Sequence, residues 1–355
     1  MRTGNLLMLG LVVSTSLPAI AGAQPPEEHA KEQDMFSHFI GVWKTAVEAK
    51  PTKNAPTGGK FTVEETTRSA LKGRYLLSRE HSQPDDKKSL WLMTLDKPRS
   101  TYLFWMFDST GLLGGQWELT WNNATKTATG RATDTPPGWT SQGSNRFPDR
   151  NTNQVHFWMK DEKGALLFEV LGEKKRQPEL AGHAMDVEWA KGSLNPAAPP
   201  EHKILEQFVG TWDAVTVCRP AEWTPKEIRM KSLVVRQSIL NCRFILDNSV
   251  HGNGEESLAL FGFDPFRREY RSWWFNSEGL RNTSRGSWDQ ANRTFSFVTD
   301  SEDGKISTAT IRLPNPDRHE WLLKVTDKAG KVFYDATITV TRRMAVDKPR
   351  ERPEP

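Results

Sequence analysis

Two His-x-Trp pairs, His156-x-Trp158 and His319-x-Trp321, are the residues whose types and spacing most invite chemistry. On a strand, residues i and i+2 project from one face, so each imidazole stands beside its indole. Inside a barrel such a pair can ligate a haem iron or hold a polar group of a ligand; outside, it is ordinary surface. Neither histidine has a second ligand at metal spacing. That favours the surface reading and predicts no metal centre and no resident cofactor, with haem as the alternative. His29, His38, His81, His183, His202 and His251 fall into no chemical pattern.

Other chemistry is sparse. The chain has no Gly-x-Ser-x-Gly, no His-Glu-x-x-His, no Walker loop and no dinucleotide glycine motif between strand and helix, so no catalytic residue is assigned. The carboxylate pairs Glu64-Glu65 and Glu255-Glu256 read as solvated surface, because neighbours on a strand point to opposite faces. Cys218 and Cys242 leave a disulfide open. An exported chain with an even count favours it, whereas places on the first strand of the second half and at the start of its third set the two far apart.

Ligand binding finds better support in the aromatic residues. Fourteen Trp and 17 Phe stand against 4 Tyr, so bulky rings carry an unusual share of the packing or the binding. They concentrate in a stretch that occurs twice, Ser89 to Leu112 and Ser257 to Leu280, aligned without a gap at an offset of 168 with 11 of 24 pairs identical. One face of its second strand carries Tyr102, Phe104 and Met106 against Tyr270, Ser272 and Trp274. The other carries Leu103, Trp105 and Phe107 against Arg271, Trp273 and Phe275. Both copies keep two large rings on this latter face, which is therefore expected to point into the core. There Trp105, Phe107, Trp273 and Phe275 either fill the interior or line an apolar pocket with Tyr102 or Tyr270 near its rim.

The duplicated stretch itself spells an antiparallel hairpin: a strand, a turn with Asp and Pro, an aromatic strand and a Ser-x-Gly turn. The repeat extends upstream, where Gly41-x-Trp43 matches Gly210-x-Trp212. Downstream, Gly115-Gln116-Trp117 matches Gly286-Ser287-Trp288, and His156-Phe157-Trp158 matches His319-Glu320-Trp321. A unit of this length is a domain. In the first copy a short helix precedes the Gly-x-Trp. Strands are expected near 60–68, 74–81, 89–95, 101–107, 115–121, 126–133, 153–160, 165–171 and 183–190, with Asp134 to Arg150 as a long Pro/Gly/Asn-rich loop around Trp139.

Residues 1–23 read as an export signal, with Arg2, an apolar run from Leu6 to Val13 and an Ala21-Gly22-Ala23 cleavage site. This places the mature protein in a periplasm or outside the cell. The first domain then spans 24–191, a Pro/Ala-rich linker 192–200 and the second domain 201–344, before a disordered tail at 345–355. No later run approaches the twenty apolar residues of a spanning helix, so stable membrane insertion is not expected. A net charge of +4, with Lys and Arg scattered among acids, does not make a nucleic-acid binder.

Many short strands with closely spaced turns suit an up-and-down antiparallel barrel, although a β-sandwich meets the same strand count. Gly-x-Trp tips the choice to a barrel: the glycine lets the strand start bend and the indole plugs the closed end. A basic residue of the last strand then lies across the indole. Lys191 and, in the second copy, Arg342 or Arg343 occupy that place, with Arg343 taken as the structural residue. On Gly41-x-Trp43, Gly210-x-Trp212 and the Asp-x5-Tyr-x2-Trp-x-Phe hairpins (Asp96 to Phe107, Asp264 to Phe275), the chain resembles the secreted lipocalin-like family known as domain of unknown function 1579, in tandem. The resemblance implies an all-β fold of two calycin-type barrels of eight to ten strands, each after a short helix. It implies no reaction.

The expectation is thus an exported, non-catalytic protein that holds a small apolar or amphipathic ligand in one or both barrels. Two alternatives stand beside it. One is a surface module whose Trp139, Trp223 and Trp274 stack on sugar rings; the other is a haem protein or enzyme using His156 or His319.

Overall fold

A computed structural model describes residues 34–52, 58–110, 115–135, 137–178, 200–300 and 304–343. The expected export signal, the strand at 183–190, Lys191, residues 192–199 of the linker and the tail lie outside these residues.

Alternating side chains close the chain into two barrels. The first starts with β1 (Gly41–Ala49), β2 (Gly59–Ala70), β3 (Tyr75–Gln83), β4 (Lys87–Asp96) and β5 (Thr101–Asp108). It continues with β6 (Gly115–Asn122), β7 (Thr127–Ala132), β8 (Thr140–Asp149), β9 (Thr152–Lys160) and β10 (Leu166–Gln177). Each strand pairs antiparallel with the next, and β1 closes on β10. Residues 34–39 form a helical turn ahead of β1.

A short helix, α1 (Pro200–Leu205), leads into the second barrel. Its strands are β11 (Gly210–Cys218), β12 (Ile228–Ile239), β13 (Phe244–His251), β14 (Glu256–Asp264) and β15 (Glu269–Asn276). Then follow β16 (Arg281–Asp289), β17 (Thr294–Asp300), β18 (Ile306–Asn315), β19 (Arg318–Thr326) and β20 (Val332–Arg342), which closes on β11.

The expected loop from Asp134 to Arg150 is corrected in its larger part, since β8 occupies it. That strand is polar outside and sparse inside: of TSQGSNRFPD only Ser141 and Phe147 are buried. Its composition therefore resembles a loop while its backbone is held by β7 and β9.

Each barrel is plugged as the Gly-x-Trp motif requires. Trp43 and Trp212 are 1% and 0% exposed, and their indole N–H groups donate to the carbonyls of Phe39 (2.8 Å) and Phe208 (2.9 Å). The guanidinium of Arg176 lies 4.3 Å from the Trp43 ring and that of Arg342 lies 4.1 Å from the Trp212 ring. Gly41 and Gly210 have φ of +134° and +141°, and a Cβ at either would collide with the guanidinium of Arg176 or Arg342. The choice of Arg343 is corrected by strand alternation: Arg343 points outward and pairs with Asp213 at 2.5 Å. The counterpart in the first barrel is Arg176, because β10 is the strand that closes on β1.

The barrels meet along equivalent faces. Leu90, Leu92, Trp105 and Phe107 of β4 and β5 share one apolar cluster with Leu258, Leu260, Trp273 and Phe275 of β14 and β15. Trp105 meets Phe275 at 4.8 Å and Phe107 meets Trp273 at 4.9 Å, both edge to face. Tyr75 meets Phe275 at 5.6 Å, and its counterpart Phe244 meets Phe107 at 5.5 Å. The seam is thus self-complementary, like the interface of a two-fold dimer. The expected pocket of Trp105, Phe107, Trp273 and Phe275 is accordingly corrected: these rings point out of their barrels and pack against each other. Their apolar character is kept by the seam, and the opposite face lines the lumen.

Candidate ligand site in the second barrel

Inward faces decide what each barrel can hold. In the first, residues 34–39 contribute Met35, Phe36 and Phe39 to a core with Trp43, Trp91, Tyr102 and Trp117. Tyr102 is 5% exposed and sits 6.2 Å from Phe36. A chain of rings, Trp91 to Phe104 (5.4 Å), Phe104 to Trp117 (6.4 Å) and Trp117 to Phe157 (5.5 Å), runs across the lumen.

A charged cluster lies beside this filling. Lys174 pairs with Glu65, which is 1% exposed, and approaches Glu80 at 3.9 Å; Glu80 also accepts from the Trp91 indole at 3.2 Å. Burial, then the neighbouring Glu65 charge, pushes the Glu80 pKa up to about 7. Glu65 is therefore a lumen residue and not solvated surface. Its alternation with Thr67 on the same face of β2, hydrogen-bonded to Glu65 at 2.9 Å, is the signal that placed it inside.

The second barrel keeps open space inside. Two adjoining hollows, each of about 60 Å³, occupy its lumen and share Ala259, Phe261, Trp274 and Trp321 as a waist. One lobe adds Ser272, Asn282, Ser284 and Ser307 to Phe297, Ala309 and Leu323. The other adds Arg236, Asp247, Ser249, Ser232, His251 and Ser257 to an aliphatic wall that includes Val234 and Ile338. A further hollow of about 60 Å³ lies at the mouth of the first barrel, where Phe263, Phe266 and Arg267 of the second cover Trp117, Phe157 and Met159. Asp134 ties that contact by accepting from Arg267 at 2.8 Å and Arg271 at 3.0 Å.

Polar groups of the second lumen are ordered by a short network. Arg236 donates to Asp247 at 2.6 Å, and Ser249 donates to the other Asp247 oxygen at 2.6 Å. The His251 ring bridges Ser232 (2.8 Å at Nδ1) and Ser257 (3.0 Å at Nε2). Burial lowers the His251 pKa against the pull of Glu255 and Asp247, which favours the neutral ring. By contrast, the indole N–H groups of Trp274 and Trp321 are buried with no acceptor among the described residues.

The two His-x-Trp pairs do not share an environment. His319 is fully buried, 4.2 Å from the Trp212 ring and 3.2 Å from Arg236. Burial, with the Arg236 and Arg342 cations nearby, pushes its pKa down to about 3. His156 instead lies on the outside of β9 and pairs with Glu169 at 2.9 Å. Strand pairing explains the difference: His319 faces Val340, two residues before Arg342, whereas Lys174, two residues before Arg176, faces Asn153. Asn153 is thus the structural counterpart of His319, and the apparent repeat is three residues out of register. Among the described residues, no group of three or more His, Cys, Asp or Glu side chains is arranged to hold a metal.

Other expected positions sort as follows. Tyr270 points into the second barrel, 5.0 Å from Phe295, with its hydroxyl on the Glu201 carbonyl at 3.2 Å. Trp274 is 8% exposed, which corrects its assignment to a sugar-stacking surface. Trp139 lies 6.4 Å from Phe266, and Trp223 packs on Phe333 at 5.6 Å. Cys218 and Cys242 are buried and are not joined in a disulfide. They lie at opposite ends of β12, since Cys218 pairs with Ile228 and Cys242 follows Ile239, a separation of roughly 35 Å along the strand. Of the lumen residues, Trp321 was singled out with His319 and His251 was passed over, while Arg236 and Asp247 were not picked out in the sequence; the alternation of Met230, Ser232, Val234 and Arg236 along β12 is the pattern that carries Arg236 inward, and Asp247 is its partner.

The strand order, the plugged ends and the wall of the second lumen belong to the segment that a family model recognises. Residues 197–342 match DUF1579, a family of proteins of unknown function. The DUF1579 match takes in α1 and all of β11 to β20. No curated protein matches the chain. Among solved structures, a DUF3598-family protein of unknown function from Nostoc punctiforme aligns over 88% of this chain and 99% of its own, with 11% identity and a TM-score of 0.25. The S-type phycobiliprotein lyase of Guillardia theta aligns over 44% of this chain and 99% of its own, with 12% identity and a TM-score of 0.30.

Proposed function

We propose that this is an exported binding protein whose second barrel holds a small amphipathic molecule in its lumen without transforming it. The two-lobed hollow between Phe261, Trp274 and Trp321 supports this reading above all. Aromatic walls supply apolar contact, while serine hydroxyls and Asn282 at its ends supply orientation, the usual division in a small-molecule site. The first lumen, crossed by rings and the Lys174 cluster, is assigned a structural role. Export rests on the leader-like residues 1–23.

The test is native mass spectrometry of the mature protein purified from its own host, followed by extraction and identification of any retained mass. A bound species that is lost on Ala259→Trp, which fills the waist, supports the reading. Retention by that variant, or a clean apo mass accompanied by no binding in a broad ligand screen, would sink it. Sequencing the mature N-terminus tests export: it is expected to begin at Gln24.

A further inference from the structure

The second lumen combines donors that lack acceptors with charges that already cancel. We infer that its occupant is a compact, uncharged molecule carrying carbonyl- or ether-type oxygen acceptors, and not a carboxylate or an amine. This deepens, and rests on, the binding reading given above.

Three observations point the same way. Trp274 and Trp321, 8% and 9% exposed, line both lobes, and each keeps a buried N–H without an acceptor among the described residues. A buried unpaired donor is a standing penalty that a ligand oxygen would relieve. His251 supplies the second observation. A neutral imidazole has one donor and one acceptor nitrogen, so of Ser232 and Ser257 one gives its hydrogen to the ring and the other receives one. In either tautomer, one serine O–H is not engaged by the imidazole.

Charge supplies the third. Among the described residues lining the two lobes, the ionised side chains are Arg236 and Asp247, paired at 2.6 Å, with the second Asp247 oxygen taken by Ser249. A carboxylate entering here would lose its hydration and meet no free cation. Glu255, 4% exposed in the turn between β13 and β14, adds a negative charge nearby. An amine would lack this mismatch but would turn N–H donors against indole donors. Size narrows the class further. A water needs roughly 10–15 Å³, so the two adjoining lobes of about 60 Å³ each together accept a molecule of roughly ten heavy atoms.

Calorimetric titration of the full-length mature protein with methyl benzoate, benzoate and benzylamine, three molecules of similar shape, tests this. Methyl benzoate is expected to bind at least roughly tenfold tighter than either charged analogue. Trp274→Phe and Trp321→Phe, which keep the ring and remove the N–H, are each expected to weaken it roughly fivefold. Benzoate or benzylamine binding as tightly as the ester would overturn the inference, as would unchanged ester affinity in both variants. Should either variant fail to fold, the ranking on the unaltered protein still decides. If none of the three binds, the inference falls, while cargo found by native mass spectrometry would keep the binding reading alive.

Discussion

Trp105 of the first barrel meets Phe275 of the second edge to face at 4.8 Å, and the exchange of the two positions, Phe107 with Trp273, recurs at 4.9 Å. The reciprocity makes the seam a property of the repeated hairpin. Trp105→Ala and Phe275→Ala are each expected to cost about 3–5 kcal/mol, as for other buried aromatic truncations. A double-mutant cycle by urea denaturation should return about 0.5–1.5 kcal/mol of coupling. A coupling near zero would mean that the two rings do not touch in solution.

The plugs predict a contrast between neighbours. Arg342→Met removes a cation from the Trp212 face and a donor from the Val209 carbonyl, and should cost about 1–2 kcal/mol. Arg343→Met breaks only an exposed pair with Asp213 and should leave the thermal midpoint unchanged. Equal effects of the two substitutions would contradict the assignment of Arg342 to the plug.

Buried charge gives the first barrel a pH signature. Glu80, with a pKa raised from 4.5 to about 7, binds its proton more tightly in the folded state. Its stabilising contribution is complete below pH 4.5 and disappears as the pH rises through 7. Buried histidines such as His319, with lowered values, act in the opposite sense, so the observable is a difference. The stability of the unaltered protein relative to Glu80→Gln should fall between pH 4.5 and 7.5, and a rise would refute the assignment. Lys174→Met, which strands Glu65, should cost about 3–5 kcal/mol at pH 7.

Thiol chemistry separates the two ends of β12. Neither Cys218, 3.3 Å from the Tyr334 hydroxyl, nor Cys242 should react with a thiol reagent in the native protein, and both should react after unfolding without reductant. No reactive thiol in denaturant would show that the pair is oxidised.

The closed barrel was legible because Gly41-x-Trp43 and Gly210-x-Trp212 demand a plugged end and because the hairpin is duplicated. The facing of that hairpin was not. β5 is apolar on both sides, one for the lumen and one for the seam, and alternation cannot rank two buried faces. In β15 the small Ser272 made the lumen side look like the weaker core, although a hollow needs small residues there. Glu65 hid for the complementary reason: a carboxylate inside a barrel is explained only by its partner Lys174, which lies 109 residues away. His156 and His319 show how a three-residue slip between β9 and β19 turns one member of a matched pair into surface.

A face that fits its own copy draws no distinction between the sibling half and the same half of another molecule. The covalent tether alone biases the choice, through a local concentration on the order of millimolar for a short linker. Dilute chains are thereby held in self-closure, and reciprocal partner exchange between chains becomes competitive only when their concentration approaches that value.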